Sequence, residues 1–143
     1  MPLRPLALFS LLALLAACAA KPPAAPQAVV PPVIQPAPLP PHLRELSGRL
    51  HGAPAGSEVE LALLVVDERG IPLRLLASLN LGGSGAVLSF RLTFNPESFP
   101  RGARVELRGR ASQSGWLILR LPPLRIHSAE SRALGELRLV PAP

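Results

Sequence analysis

Cys18 is the residue whose type and setting most directly promise chemistry. It is the only thiol in 143 residues, and it closes the stretch Leu3–Cys18. There Arg4 precedes an apolar run from Leu6 to Leu15, and the small residues Ala16 and Ala17 lead into the cysteine. A positive flank, a short apolar core and a small-residue exit have the anatomy of a secretory signal. The run falls short of the roughly 20 residues that a helix needs to cross a bilayer. It therefore reads as an export segment, with a strong nucleophile placed at its exit.

The four residues Leu15-Ala16-Ala17-Cys18 resemble the bacterial lipobox. The resemblance implies that Cys18 receives a diacylglycerol thioether, that the bond from Ala17 to Cys18 is cut, and that the new amine is acylated. Leu15 seats the segment in the peptidase, and Ala16 and Ala17 let the backbone pass. Two or more acyl chains hold a protein stably on a membrane, at ~0.8 kcal/mol per buried CH₂. The expectation is a lipoprotein held to the membrane by an N-terminal lipid. Ala19 rather than Asp after the cysteine fits sorting to the periplasmic face of the outer membrane of a Gram-negative bacterium.

Removing residues 1–17 leaves 126, enough for one domain and a tail. The balance of 15 Lys and Arg against 9 Asp and Glu is basic, and Lys21 is the only lysine. Such a surface suits acidic lipids or an acidic protein partner. Nucleic acid is excluded as a partner, because an exported chain does not meet it and no aromatic-basic stacking platform is present. With Cys18 lipidated, no disulfide can form and the fold must rest on its apolar core.

No catalytic set emerges elsewhere. His42, His51 and His127 stand apart, without metal-ligand spacing. Asp67 sits in a turn, where capping is its expected work. Ser57, Ser84, Ser114 and Ser128 lack a nucleophile-elbow context. Gly82-Gly83-Ser84-Gly85 precedes a strand rather than a helix, so it cannot cradle phosphate as helix-opening loops do. The sequence predicts no enzyme, no metal and no cofactor, which leaves binding.

The elements that must present a binding surface begin after a linker. Nine of the residues from Lys21 to Pro41 are proline, which excludes helix and ladder. Residues 18–42 are thus expected to be a lipidated, disordered spacer, and 43–143 the folded domain. From Leu43 on, apolar and polar residues alternate in short runs split by Gly, Pro, Ser and Asn, the pattern of strands. Seven are predicted: 45–51, 58–66, 73–79, 88–94, 104–111, 116–121 and 134–140. Residues 80–85 and 125–132 read as loops, and Pro122-Pro123 as the stop after the sixth strand. The fold class expected is all-β, a single antiparallel β-sandwich or flattened small barrel.

Within that scheme Trp116, Ile118 and Arg120 share one side of the sixth strand, opposite Leu117, Leu119 and Leu121. If the leucine row fills the core, Trp116 points outward. Arg104, Glu106, Arg108 and Arg110 line the outer side of the fifth strand. Trp and Arg are enriched at the centres of binding surfaces. The candidate partner-binding residues are therefore Trp116, Ile118, Arg120, Arg108 and Arg110.

Three stretches carry a family resemblance: Phe90-Arg91-Leu92-Thr93-Phe94-Asn95-Pro96, Arg101-Gly102-Ala103-Arg104-Val105-Glu106-Leu107-Arg108-Gly109-Arg110, and Gly115-Trp116-Leu117. Together they resemble the core of the YbaY/YscW-like lipoprotein family. Leu46-Ser47-Gly48-Arg49-Leu50 and Leu137-Arg138-Leu139-Val140-Pro141 also fit. The resemblance spans 43–141 and includes the ExsB-like pilotins of type III secretion. It implies a non-enzymatic outer-membrane chaperone whose partner is the secretin subunit of a type III secretion system. The alternative branch, YbaY-like, implies an envelope lipoprotein of general or ligand-binding role.

Overall fold

The structure, a computed structural model, describes residues 37–143. The lipobox residues Leu15, Ala16, Ala17 and Cys18, with most of the proline-rich stretch, lie outside the described residues. Residues 37–143 form one compact unit. Among the described residues the buried cluster lies between Leu46 and Leu139.

Eight strands build it: β1 Arg44–His51, β2 Glu58–Val66, β3 Pro72–Gly82, β4 Leu88–Phe94, β5 Arg104–Gln113, β6 Trp116–Ile126, β7 Arg132–Arg138 and β8 Val140–Pro141. They form two sheets, one of order β4-β1-β7 and one of order β3-β2-β5-β6-β8. The fold is an all-β sandwich rather than a closed barrel.

Period-two patterning explains the two sheets. On β4, Phe90, Leu92 and Phe94 are buried while Ser89, Arg91 and Thr93 are exposed. On β2, Val59, Leu61, Leu63 and Val65 point into the core. Between the layers these meet Leu46 and Leu50 of β1, Val105, Leu107 and Ala111 of β5, and Leu121 and Ile126 of β6. Burial of such side chains contributes about 1.5–3 kcal/mol each, against the entropy of ordering the chain.

The turns are set by local chemistry. Asp67 Oδ1 accepts hydrogen bonds from the Arg69 and Ile71 amides at 2.9 and 2.8 Å, which caps the turn between β2 and β3. Asn95 Oδ1 accepts from the Glu97 amide at 2.9 Å and starts the short 3₁₀ turn Pro96–Ser98. Between β5 and β6, Ser114 and Gly115 both have positive φ, 51° and 81°. That is the two-residue turn whose twist suits a hairpin.

Three expectations need correction. β6 does not stop at Pro122-Pro123 but runs through them to Ile126. Leu121 pairs with Gly109 and Leu124 with Leu107, so the two prolines bulge opposite the single residue Arg108. Their missing N–H groups cost no ladder bond there, because β8 reaches only Leu119 and Arg120 on the other edge. Likewise β3 extends to Gly82, pairing Leu81 with Val59 and Gly82 with Glu58, where a loop was expected.

The third concerns the last predicted strand, which is two strands. β7 pairs with β1 in parallel, with Leu50 opposite Leu137. The buried Leu139 then turns the chain across the sandwich so that Val140 pairs with Arg120 of the other sheet. The count is therefore eight, and the smaller sheet is mixed rather than antiparallel.

Candidate docking surface

The outer face of the five-stranded sheet follows from register, since residues paired across a ladder point to the same side. Ala62 and Leu64 of β2 are on it, with Ser78 and Leu75 of β3 opposite them. Arg108 and Arg110 of β5 lie opposite Ala62 and Glu60 on the neighbouring edge of β2. Register shifts between Leu63 and Leu64 turn Leu75 outward. Leu73 and Leu75 are exposed at 65% and 56%, and Ile71 at 52%.

This face contains a trough of about 440 Å³ lined by Ala62, Leu64, Pro72 and Leu75, with Glu60, Arg108 and Arg110 around them. It continues past Glu60 and Arg110 into a more polar depression of about 590 Å³ that includes Glu58, Asn80 and Ser112. The floor is apolar and the rim is charged. This open apolar floor with a charged rim is the candidate docking surface.

Each arginine on the rim has a different standing. Arg108 is held in place: its guanidinium donates to Glu106 Oε2 at 2.8 and 3.0 Å and to the Gly70 carbonyl at 2.6 Å. It ties β5 to the turn before β3. Glu106 itself is only 8% exposed, although it was expected to face solvent; Arg108 covers it, and Arg104 approaches to 3.9 Å. Arg110 pairs with Glu60 at 2.6 Å. Arg120 stands directly across the ladder from Arg110 and has no ion-pair partner among the described residues. Like charges facing each other across a ladder are destabilising, and an acidic group from a partner would relieve them.

The sequence-predicted row Trp116, Ile118 and Arg120 is not one face. Ala111 pairs with Leu119 but Ser112 pairs with Leu117, so Ile118 is an extra residue that breaks the alternation. Ile118 packs against the core. Arg120 shares the outer face with Arg110, while Trp116 pairs with Gln113 beside the hairpin turn and is 78% exposed. The structure thus joins Arg108, Arg110 and Arg120 and separates them from Trp116. The residues that sequence reasoning missed are Leu64, Ile71, Leu73 and Leu75. Leu73, Leu75, Leu76, Leu79 and Leu81 show leucines on both faces of β3, but not which of them stay uncovered.

Among the described residues no three His, Cys, Asp or Glu side chains gather into a metal-binding group. His51 instead contacts Glu136 across the parallel β1–β7 pair, with Arg49 3.2 Å from the same carboxylate. The hydrogen bond to His51 holds the Glu136 carboxyl below its ordinary value of 4.5; partial desolvation opposes this and the charge of Arg49 adds to it. A group whose folded pKa is lowered stabilises the fold above its unfolded pKa. That contribution is lost as pH falls through the folded value. Glu136→Gln is therefore expected to flatten the acid-side decline of Tm, read by thermal melts between about pH 2 and pH 6. An unchanged decline would show that the pair contributes nothing to it.

No protein-family model matches the chain, and a search of the curated proteins finds no match. Among solved structures, the chain is similar to an alternative pilotin from the type II secretion system of Vibrio cholerae. The two are 17% identical, with a TM-score of 0.56, over 70% of this chain and 99% of that one. The likeness is one of fold, and it lies with a pilotin of a type II system rather than with the type III branch to which the sequence resemblance pointed. The described domain has a pilotin-like fold.

Proposed function

We propose that this protein is a pilotin: a non-catalytic lipoprotein, anchored through Cys18 at the periplasmic face of the outer membrane, that brings a secretin subunit to that membrane and helps its ring assemble. The observation that carries this reading is the open trough of Ala62, Leu64 and Leu75 with Arg110 and Arg120 beside it, set on a pilotin-like fold. The client segment it fits has an apolar side for the trough and an acidic group for the arginines. The sequence resemblance favours a type III secretin and the fold neighbour a type II one, so both belong in the test.

The test is retention of secretin subunits of each class by residues 37–143, immobilised as the intact domain. Leu75→Asp is expected to reduce retention about tenfold or more, as loss of a central interface residue does. Because Leu75 is half exposed, the variant keeps its melting temperature. Arg120→Glu is expected to weaken retention in a salt-dependent way. Retention unaffected by both changes, or absent for both secretins, would overturn the proposal.

A further inference from the structure

One end of the sandwich carries no charge in its loops. Three segments meet there: 52–57, 82–87 and the hairpin 111–119, and none contains Asp, Glu, Lys or Arg. Backbone hydrogen bonds clasp the first two, from the Gly56 amide to the Gly83 carbonyl at 3.1 Å, from the Gly83 amide to the Ser57 carbonyl at 2.7 Å and from the Gly85 amide to the Ala53 carbonyl at 3.1 Å. The Gln113 side chain donates to the Ala55 carbonyl at 3.3 Å and ties in the hairpin. Glu58, at the start of β2, lies level with Leu117, the two flanking Ser112 of β5, and Arg138 ends β7. The opposite end, where the chain enters β1, is charged: its connections contain Asp67, Glu68, Arg69, Glu97, Arg101 and Glu130.

The uncharged end also holds Trp116, the most exposed large apolar side chain among the described residues. Trp116 is 78% exposed, Leu117 53% and Val87 38%. Trp116 and Leu117 project from a tight hairpin whose backbone is already fixed, so seating them elsewhere orders little further chain. An indole with an apolar body and one N–H donor is the side chain that settles at the boundary between lipid headgroups and acyl chains. Charged groups resist passage into the hydrocarbon beyond that boundary, and these loops have none.

We infer that the hairpin end of the domain, led by Trp116, docks into the interface of a lipid bilayer. This contact is separate from the trough and from acylation of Cys18, and it depends on neither. It would hold the domain with its hairpin end at the membrane and its five-stranded face still open.

Trp116 is the only tryptophan and the chain has no tyrosine, so its fluorescence reports on the tip alone. Residues 37–143, which form one compact unit, are titrated with phosphatidylcholine–phosphatidylethanolamine vesicles. The emission is expected to shift to the blue, to be quenched by brominated acyl chains, and to change little with added salt. In co-sedimentation, Trp116→Ala is expected to lower vesicle binding about tenfold or more, with Leu117→Ser as a second variant. Emission that stays solvent-like, with no bromolipid quenching, would overturn the inference. So would a blue shift produced by a secretin subunit but not by vesicles, which would assign the tip to a protein partner. Leu75→Asp is expected to leave vesicle binding unchanged, so failure of the trough and failure of the tip are read separately.

Discussion

Replacing Cys18 by serine is expected to leave the β-domain folded and to leave the secretin client in the wrong membrane. Under the proposed anchoring, a hydroxyl does not take up the thioether-linked lipid, so the variant would lack its acyl chains as a set. One chain alone gives marginal membrane binding, with a constant of about 10⁴ M⁻¹, and stable anchoring needs a second. The change in membrane partition therefore spans orders of magnitude. The fold is untouched, because the buried cluster lies wholly between Leu46 and Leu139. The measurements are the intact mass of the native protein and the distribution of the secretin between inner and outer membrane fractions. An unmodified thiol in the wild type, or unchanged secretin insertion in the variant, would remove the anchoring half of the proposed function.

The largest effect expected on stability comes from one added methyl group. At Gly83 a Cβ would overlap Ser57 Oγ and the Pro54 carbonyl oxygen. Neither neighbour can give way. Ser57 is 2% exposed and donates its hydroxyl to that same carbonyl at 2.7 Å. Overpacking a filled site costs about 1–3 kcal/mol, and pushing the loops apart also endangers two backbone hydrogen bonds of about 1 kcal/mol each. Gly83→Ala is expected to lower Tm by about 10 °C or more. Gly82→Ala, one residue earlier, is the control: nothing lies within 4 Å of its added methyl, so its Tm stays near that of the parent. Equal melting of both variants would show that the clasp between segments 52–57 and 82–87 does not matter to the fold.

Where a strand had one face buried and one face wet, the sequence disclosed it to the residue. β4 begins and ends where alternation of leucine and phenylalanine with polar residues begins and ends, and β2 has the bounds its apolar row from Val59 to Val65 predicts. Where the partner strand decided the outcome, it did not. Pro122-Pro123 look like a terminator, and would be one in a central ladder; they are accommodated because Arg108 alone faces them and the other edge is free there. The parallel pairing of β1 with β7 joins residues about ninety positions apart, and no local pattern announces it.

The candidate surface was half legible for the same reason. Arg108 and Arg110 could be placed outward from alternation, and Trp116 is indeed exposed. A single extra residue, Ile118, then moved Arg120 to a different face from Trp116, and bulges leave little trace in a sequence. Leu64 and Leu75 were hidden by their own type. A leucine on the second side of a strand looks the same whether another layer covers it or nothing does.

The pairing of β1 with β7 also imposes a timetable. During vectorial synthesis or passage through a pore, β1 appears first and finds β4 after some forty residues, yet its other edge stays open until residues 132–138 arrive. Pairings between distant parts of a chain are slow to form because loop closure precedes their reward. The smaller sheet is thus finished last, by the segment that also stitches β8 onto the larger one. A chain built this way closes its smaller layer only when nearly all of it has emerged.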